Sequence, residues 1–185
     1  MKKLIIAVMF ASATAMSHAA TVGWSNMGLA DYNGDKYQMF VIGQKNVSSV
    51  ATITALLDEG KSVDSYAIGG GTVNAGKATV ASASSGFSID ETGSYTAFMV
   101  LFDAASPVSG TTKYAVLEGG NQGTGYTQTI AATTAAITFA GGNAASMISA
   151  GSWKTFGGSA PVPEPTGAML MLLGMAGLAL KRKRA

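Results

Sequence analysis

The chain has 185 residues and a formal net charge of +2, from twelve lysines and arginines against ten aspartates and glutamates. The charges are sorted by position: Lys2 and Lys3 begin the chain, Lys181, Arg182, Lys183 and Arg184 end it, and 20–160 holds six lysines, no arginine and nine acids, a net of −3 that excludes a basic nucleic-acid-binding body. No cysteine is present and the one histidine, His18, lies near the start, so disulfide scaffolds, Cys or His nucleophiles and zinc fingers are excluded and no cofactor is expected.

The first element is a leader, 1–19. Lys2 and Lys3 form a short cationic start, and 4–15 is uncharged. Ser17, His18 and Ala19 then put small residues at −3 and −1 of a cut between Ala19 and Ala20. That order is the pattern of a secretory signal, which implies a Sec-type translocon and a signal peptidase as partners. An uncleaved anchor fits less well, because twelve residues span only about 18 Å as a helix against a hydrocarbon core of about 30 Å.

The expected exported domain, 20–160, carries 21 glycines and only 15 charged residues. Its low net charge argues against disorder. Asp31-Tyr32-Asn33-Gly34-Asp35 starts like a calcium loop, but Lys36 stands where glycine is needed and Ile42 where a bidentate glutamate is needed, so it reads as a polar turn. A strand is expected at 37–43. Ser49 then caps a helix in which Val50, Ile53 and Leu57 share a face and Gly60 ends it.

Weaker strands are read at 65–68, 78–83 and 86–89. The strongest strand, 94–103, alternates Tyr95, Ala97, Met99 and Leu101 with Thr96, Phe98, Val100 and Phe102; both faces are largely apolar, which marks a central strand covered on both sides. A partner at 112–118 follows, then weaker strands at 127–131 and 136–139 and a short helix started by Asn143. Gly69-Gly70-Gly71 and the run from Gly119 to Gly125 lack the lysine and helix of a phosphate loop and read as surface loops. The fold class is thus α+β and β-dominated, a mainly antiparallel sheet with one or two short helices, flanked by an N-terminal signal helix and a C-terminal membrane helix. An all-β sandwich is the alternative.

Catalytic residues are scarce. Without His, Cys or Arg in 20–160, chemistry falls to carboxylates and lysine, and a glycoside hydrolase needs two carboxyls about 5–9 Å apart. Asp103, ending the most apolar strand, is the acid to inspect. Trp24 and Trp153 read as core or seam residues rather than as sugar-stacking platforms. No catalytic residue and no metal ligand is assigned, and the chain is read as a non-enzyme.

The last element, 161–185, is a second address. Pro161-Val162-Pro163-Glu164-Pro165 forms a stiff extended spacer, 166–180 is uncharged, and Lys181, Arg182, Lys183 and Arg184 resist translocation and act as a membrane stop. The apolar run is about 22 Å long as a helix, short for a full span. A Gram-positive sortase signal needs Leu-Pro-x-Thr-Gly, of which only Thr166-Gly167 is present, and a GPI signal would not end in four cations. A permanent single-pass anchor is the serious rival.

Val162-Pro163-Glu164-Pro165, the short apolar helix and the terminal basic cluster together closely resemble the PEP-CTERM sorting domain, over about 25 residues. The resemblance implies protein sorting in a Gram-negative-type cell envelope by an exosortase, an integral-membrane cysteine transpeptidase, with Pro163, Glu164 and Pro165 as its recognition motif. It further implies a transient membrane anchor, release to the cell surface or extracellular matrix, and association with exopolysaccharide and biofilm. The expected function is that of an exported envelope or extracellular-matrix structural protein. The alternative is a secreted glycan-active enzyme or saccharide-binding module with a permanent C-terminal anchor. The enzyme needs two acids facing each other across a pocket, the binding module coplanar exposed aromatics, and the structural protein neither.

Overall fold

The structure, a computed structural model, describes residues 18–118, 127–143, 148 and 153–158. Its strands are β1 (Ala20–Met27), β2 (Lys36–Val41), β3 (Gly69–Thr72), β4 (Ala78–Val80), β5 (Ser88–Ile89), β6 (Gly93–Phe102), β7 (Lys113–Glu118), β8 (Thr127–Ile130), β9 (Ala136–Asn143) and β10 (Lys154–Thr155), with the helix α1 (Val50–Asp58) between β2 and β3. The fold is β-dominated and mostly antiparallel, with a single α-helix among the described residues.

Two sheets form. In the smaller, β1 pairs antiparallel with β4 and β5 and parallel with β9, from Thr21 opposite Ala136 to Met27 opposite Asn143. The larger has the order β10-β7-β6-β2-β3, and β8 pairs with the N-terminal end of β6. The two sheets enclose one core, in which Val22, Trp24 and Phe139 meet Tyr37, Met39, Val41, Met99 and Leu101. The opposite face of the larger sheet carries a second core, where Phe40, Phe98, Val100, Phe102 and Tyr114 pack under Ile53 and Leu57 of α1. Three layers result: sheet, sheet, helix.

The alternation in β6 explains this layering. Ala97, Met99 and Leu101 enter one core and Phe98, Val100 and Phe102 the other, as expected of a strand covered on both faces. Phe98 stacks on Phe40 with centroids 5.1 Å apart, and Phe102 meets Phe156 edge-on at 6.0 Å. Burying each such ring contributes about 1.5–3 kcal/mol.

The helix ends as its glycine requires. Gly60 adopts φ +71°, and the N–H groups of Gly60 and Lys61 return to the carbonyls of Leu57 and Leu56. Its start differs from expectation: Ser49 occupies the capping position, but its hydroxyl lies 3.3 Å from Thr52 Oγ1 and caps no backbone N–H.

Other expectations need correction. Residues 65–68 turn rather than extend, because the N–H groups of Tyr66 and Ala67 bond back to the carbonyls of Val63 and Asp64. Gly69-Gly70-Gly71 is part of strand β3, not a loop. Asn143 is the last residue of β9, and the short helix expected to start there falls on residues that lie, Ile148 apart, outside the described ones. Among the described residues no helix is long and apolar enough to cross a membrane. The expected signal and membrane helices and the run from Gly119 to Gly125 lie outside the described residues.

Candidate functional site

The site is built on the helix-covered face of the larger sheet, where β2 and β3 leave α1 behind. Lys36 and Gln38 of β2 project to the same face as Phe40, and their partners in β3 are Thr72 and Gly70. After Gly60 ends the helix, the chain returns over β2 and delivers Asp64. Ser62 shapes this return, since its hydroxyl accepts from the Asp64 N–H at 3.3 Å and donates to Asp64 Oδ2 at 2.7 Å. Asp64 Oδ1 also accepts from Lys36 Nζ at 2.8 Å and from Gln38 Nε2 at 2.6 Å.

Three donors therefore hold one carboxylate. The Lys36 ammonium, aided by Ser62 and Gln38, keeps Asp64 below the usual carboxylate range against the opposing effect of partial burial. The side-chain amide of Gln38 must turn its nitrogen to the carboxylate, which fixes its orientation. Its Oε1 is buried and, among the described residues, has no hydrogen-bond partner.

Two cavities flank this cluster and share Lys36, Gln38 and Asp64. One, of about 660 Å³, is walled by Lys45, Ala67 and the β3 backbone from Gly69 to Thr72. The other, of about 340 Å³, is walled by Leu57, Val63, Phe102 and Phe156. Together they make a groove that is polar at one end and apolar at the other. Among the described residues Asp64 is the only acid lining either cavity, and an ionised carboxylate locked to lysine is a hydrogen-bond acceptor, not a proton donor.

The acid singled out from sequence stands elsewhere. Asp103 closes the β6–β7 hairpin: its Oδ1 accepts from the Lys113 N–H at 2.6 Å, and its own N–H bonds to Lys113 O at 3.0 Å. It lies close enough to Asp35 to add to the effect of burial in raising that carboxyl. Neither acid lines the groove. Asp58 accepts from the Tyr114 hydroxyl at 2.5 Å, and burial, helped by Asp58, pushes the Tyr114 phenol above its ordinary value.

The calcium-like segment folds into a short 3-10 turn, Ala30–Tyr32. Asn33 then bonds the Ala30 carbonyl through Nδ2 and receives the Gly76 N–H on Oδ1, tying the β1–β2 connection to the β3–β4 turn. Among the described residues no three potential metal-ligating His, Cys, Asp or Glu side chains gather. Trp24 is buried in the inter-sheet core, and Trp153 is half-buried against Tyr32, with centroids 5.6 Å apart and planes at 38°. Neither forms an open stacking platform.

Of the residues expected to serve delivery, Ala19 is exposed just ahead of β1 and Ala20 is its buried first residue, opposite Ile89. Pro163, Glu164, Pro165, Lys181, Arg182, Lys183 and Arg184 lie outside the described residues. The sequence reading missed Lys36, Gln38, Asp64 and β3 as one site. The available signal was Gln38, an amide in a stretch that is otherwise apolar or aromatic from Tyr37 to Val41. Comparison with protein-family models, curated proteins and solved structures finds no match to this chain.

Proposed function

We propose that the chain is an exported structural protein of the cell envelope or extracellular matrix, sorted through its C-terminal tail. The observation that carries this reading is the ordered composite of Pro163-Glu164-Pro165, fifteen uncharged residues and four terminal cations. The parts divide the work physically. The prolines keep the motif extended, Glu164 marks the water side, the apolar run holds the membrane, and the cations stop transfer. An exosortase would read the motif and release the body.

The architecture supports this division of labour. Every described strand and helix lies between Ala20 and Thr155, so cuts after Ala19 and beyond 160 remove no described element. A groove holding one salt-bridged acid, and tryptophans turned into packing contacts, favours a non-catalytic body over a carboxylate hydrolase.

Intact mass of the cell-associated protein tests the proposal. In cells with an exosortase the mature chain should lack both 1–19 and a C-terminal piece. A variant with Pro163, Glu164 and Pro165 all changed to Ala should keep its tail, as should wild type in cells without an exosortase. Equal processing of the variant and the wild type would overturn the sorting reading.

A further inference from the structure

We propose that the edge of β3 left unpaired by the described strands, with the cavity of about 660 Å³ beside it, is a docking site for an extended acidic peptide that joins the larger sheet as an added strand. This inference does not depend on how the chain is delivered. β3 is the outermost strand of its sheet, and no described strand pairs with its far side. The Val73 N–H bonds to the Asp35 carbonyl at 2.9 Å, which marks those two as hydrogen-bonded partners. The two-residue alternation of an antiparallel ladder then directs Gly71 and Gly69 to β2 and turns the N–H and C=O of Gly70 and Thr72 outward.

Gly70, Gly71 and Thr72 are all exposed. An incoming strand, which settles about 4.8 Å away, meets bare backbone at the two glycines. The edge carries no lysine, proline or inward charge of the kind that keeps other strands off.

The cavity supplies the selectivity. Alternate side chains of an added strand fall on the face of Lys36, Gln38 and Asp64, and Gln38, only 4% exposed, brings the unpartnered Oε1 to that wall. Lys36 is neutralised by Asp64 and Lys61 by Glu59. Lys45 differs: its Nζ donates to the Ala67 carbonyl at 2.7 Å and lies 5.5 Å from the centre of the Phe87 ring, and among the described residues it has no carboxylate partner. A glutamate or aspartate on the added strand completes it. A polysaccharide fits less well, because the one aromatic ring lining the cavity among the described residues, Tyr37, is buried and offers no stacking face.

The probe is the capped peptide Ac-Thr-Val-Glu-Val-Thr-amide, with amide hydrogen exchange of the purified full chain as the readout. At a concentration about ten times its Kd the peptide should slow exchange at Gly70 and Thr72 about tenfold. A version N-methylated at alternate amides should give no protection. Replacing its glutamate by lysine should weaken binding about twofold to fivefold, the worth of one exposed ion pair, and Lys45→Ala should abolish that preference.

Thr72→Pro removes an outward N–H that the ladder does not use, so the sheet should keep its thermal midpoint while binding is lost. Unchanged exchange at these amides, equal protection by the N-methylated peptide, or protection by dextran but not by peptide would each overturn the proposal. If Thr72→Pro unfolds, the Lys45→Ala comparison and the N-methylated peptide still decide it.

Discussion

Strands β6 and β3 belong to one sheet and are built in opposite ways. β6 owes its place to what its side chains fill: each residue from Ala97 to Phe102 is buried in one core or the other. β3 owes its place to what its residues lack. A Cβ on Gly69 would overlap Cη2 of Trp24, and one on Gly70 would stand 2.5 Å from the Tyr37 carbonyl oxygen. Large side chains stabilise the middle of the sheet, and the absence of side chains lets the indole of the neighbouring sheet close its end.

The largest expected effect is at the filled strand. Phe98→Ala removes a buried ring stacked on Phe40 and should cost about 3–5 kcal/mol, read from the urea midpoint. A loss under about 1 kcal/mol would mean that the helix layer collapses onto the gap. Next comes the empty strand. Gly69→Ala should cost about 1–3 kcal/mol by overpacking against Trp24. Gly71→Ala, where the added Cβ makes ordinary contacts with Tyr37 at 3.6 Å and beyond, should stay within about 0.5 kcal/mol. If contact with the indole is the cause, Trp24→Leu combined with Gly69→Ala should lose less than the sum of the two single changes, by about 0.5 kcal/mol or more. Strict additivity would remove that explanation.

The smallest effect is electrostatic and sits where β2 meets β3. Asp64 is held below its ordinary value, foremost by the Lys36 ammonium. Its contribution is therefore complete above the unfolded-state value of about 3.9 and is lost as pH falls through the lower folded value. Its side chain is 64% exposed, so solvent screens the pair and the gain is modest. Asp64→Asn should flatten the acid limb of the stability profile below about pH 4 and leave its neutral shape unchanged. An acid limb identical to wild type would show that the pair contributes nothing.

This contrast also explains what was readable in advance. β6 and α1 were legible because their own residues carry the pattern: alternating apolar faces in one, and Val50, Ile53, Leu57 and the terminating Gly60 in the other. β3 was not legible, since three glycines in isolation signal a turn and their role here is set by Trp24 in another sheet. β1 was missed for a related reason. Its Gly23, Ser25 and Asn26 break the apolar pattern, and Gly23 is required because a Cβ there would stand 2.6 Å from the Ser82 backbone nitrogen. At the groove, Gln38 was visible as an anomaly in an apolar strand. Asp64 was not, because Lys36 and Gln38 reach it from a separate stretch of chain. The proposed sorting motif needs no fold to be read, being a local order of charge, proline and apolar length.

The parallel pairing of β1 with β9 has a consequence for how the molecule is made. Strand β1, starting at Ala20, leaves the ribosome well before its parallel partner at Ala136–Asn143. At about 5–20 residues per second, the waiting time for that partner is several seconds or more. Over that interval the Trp24 strand is a nascent chain with one side unzipped. Such long-range closure also places the commitment to fold late, after nearly all of the body has been synthesised.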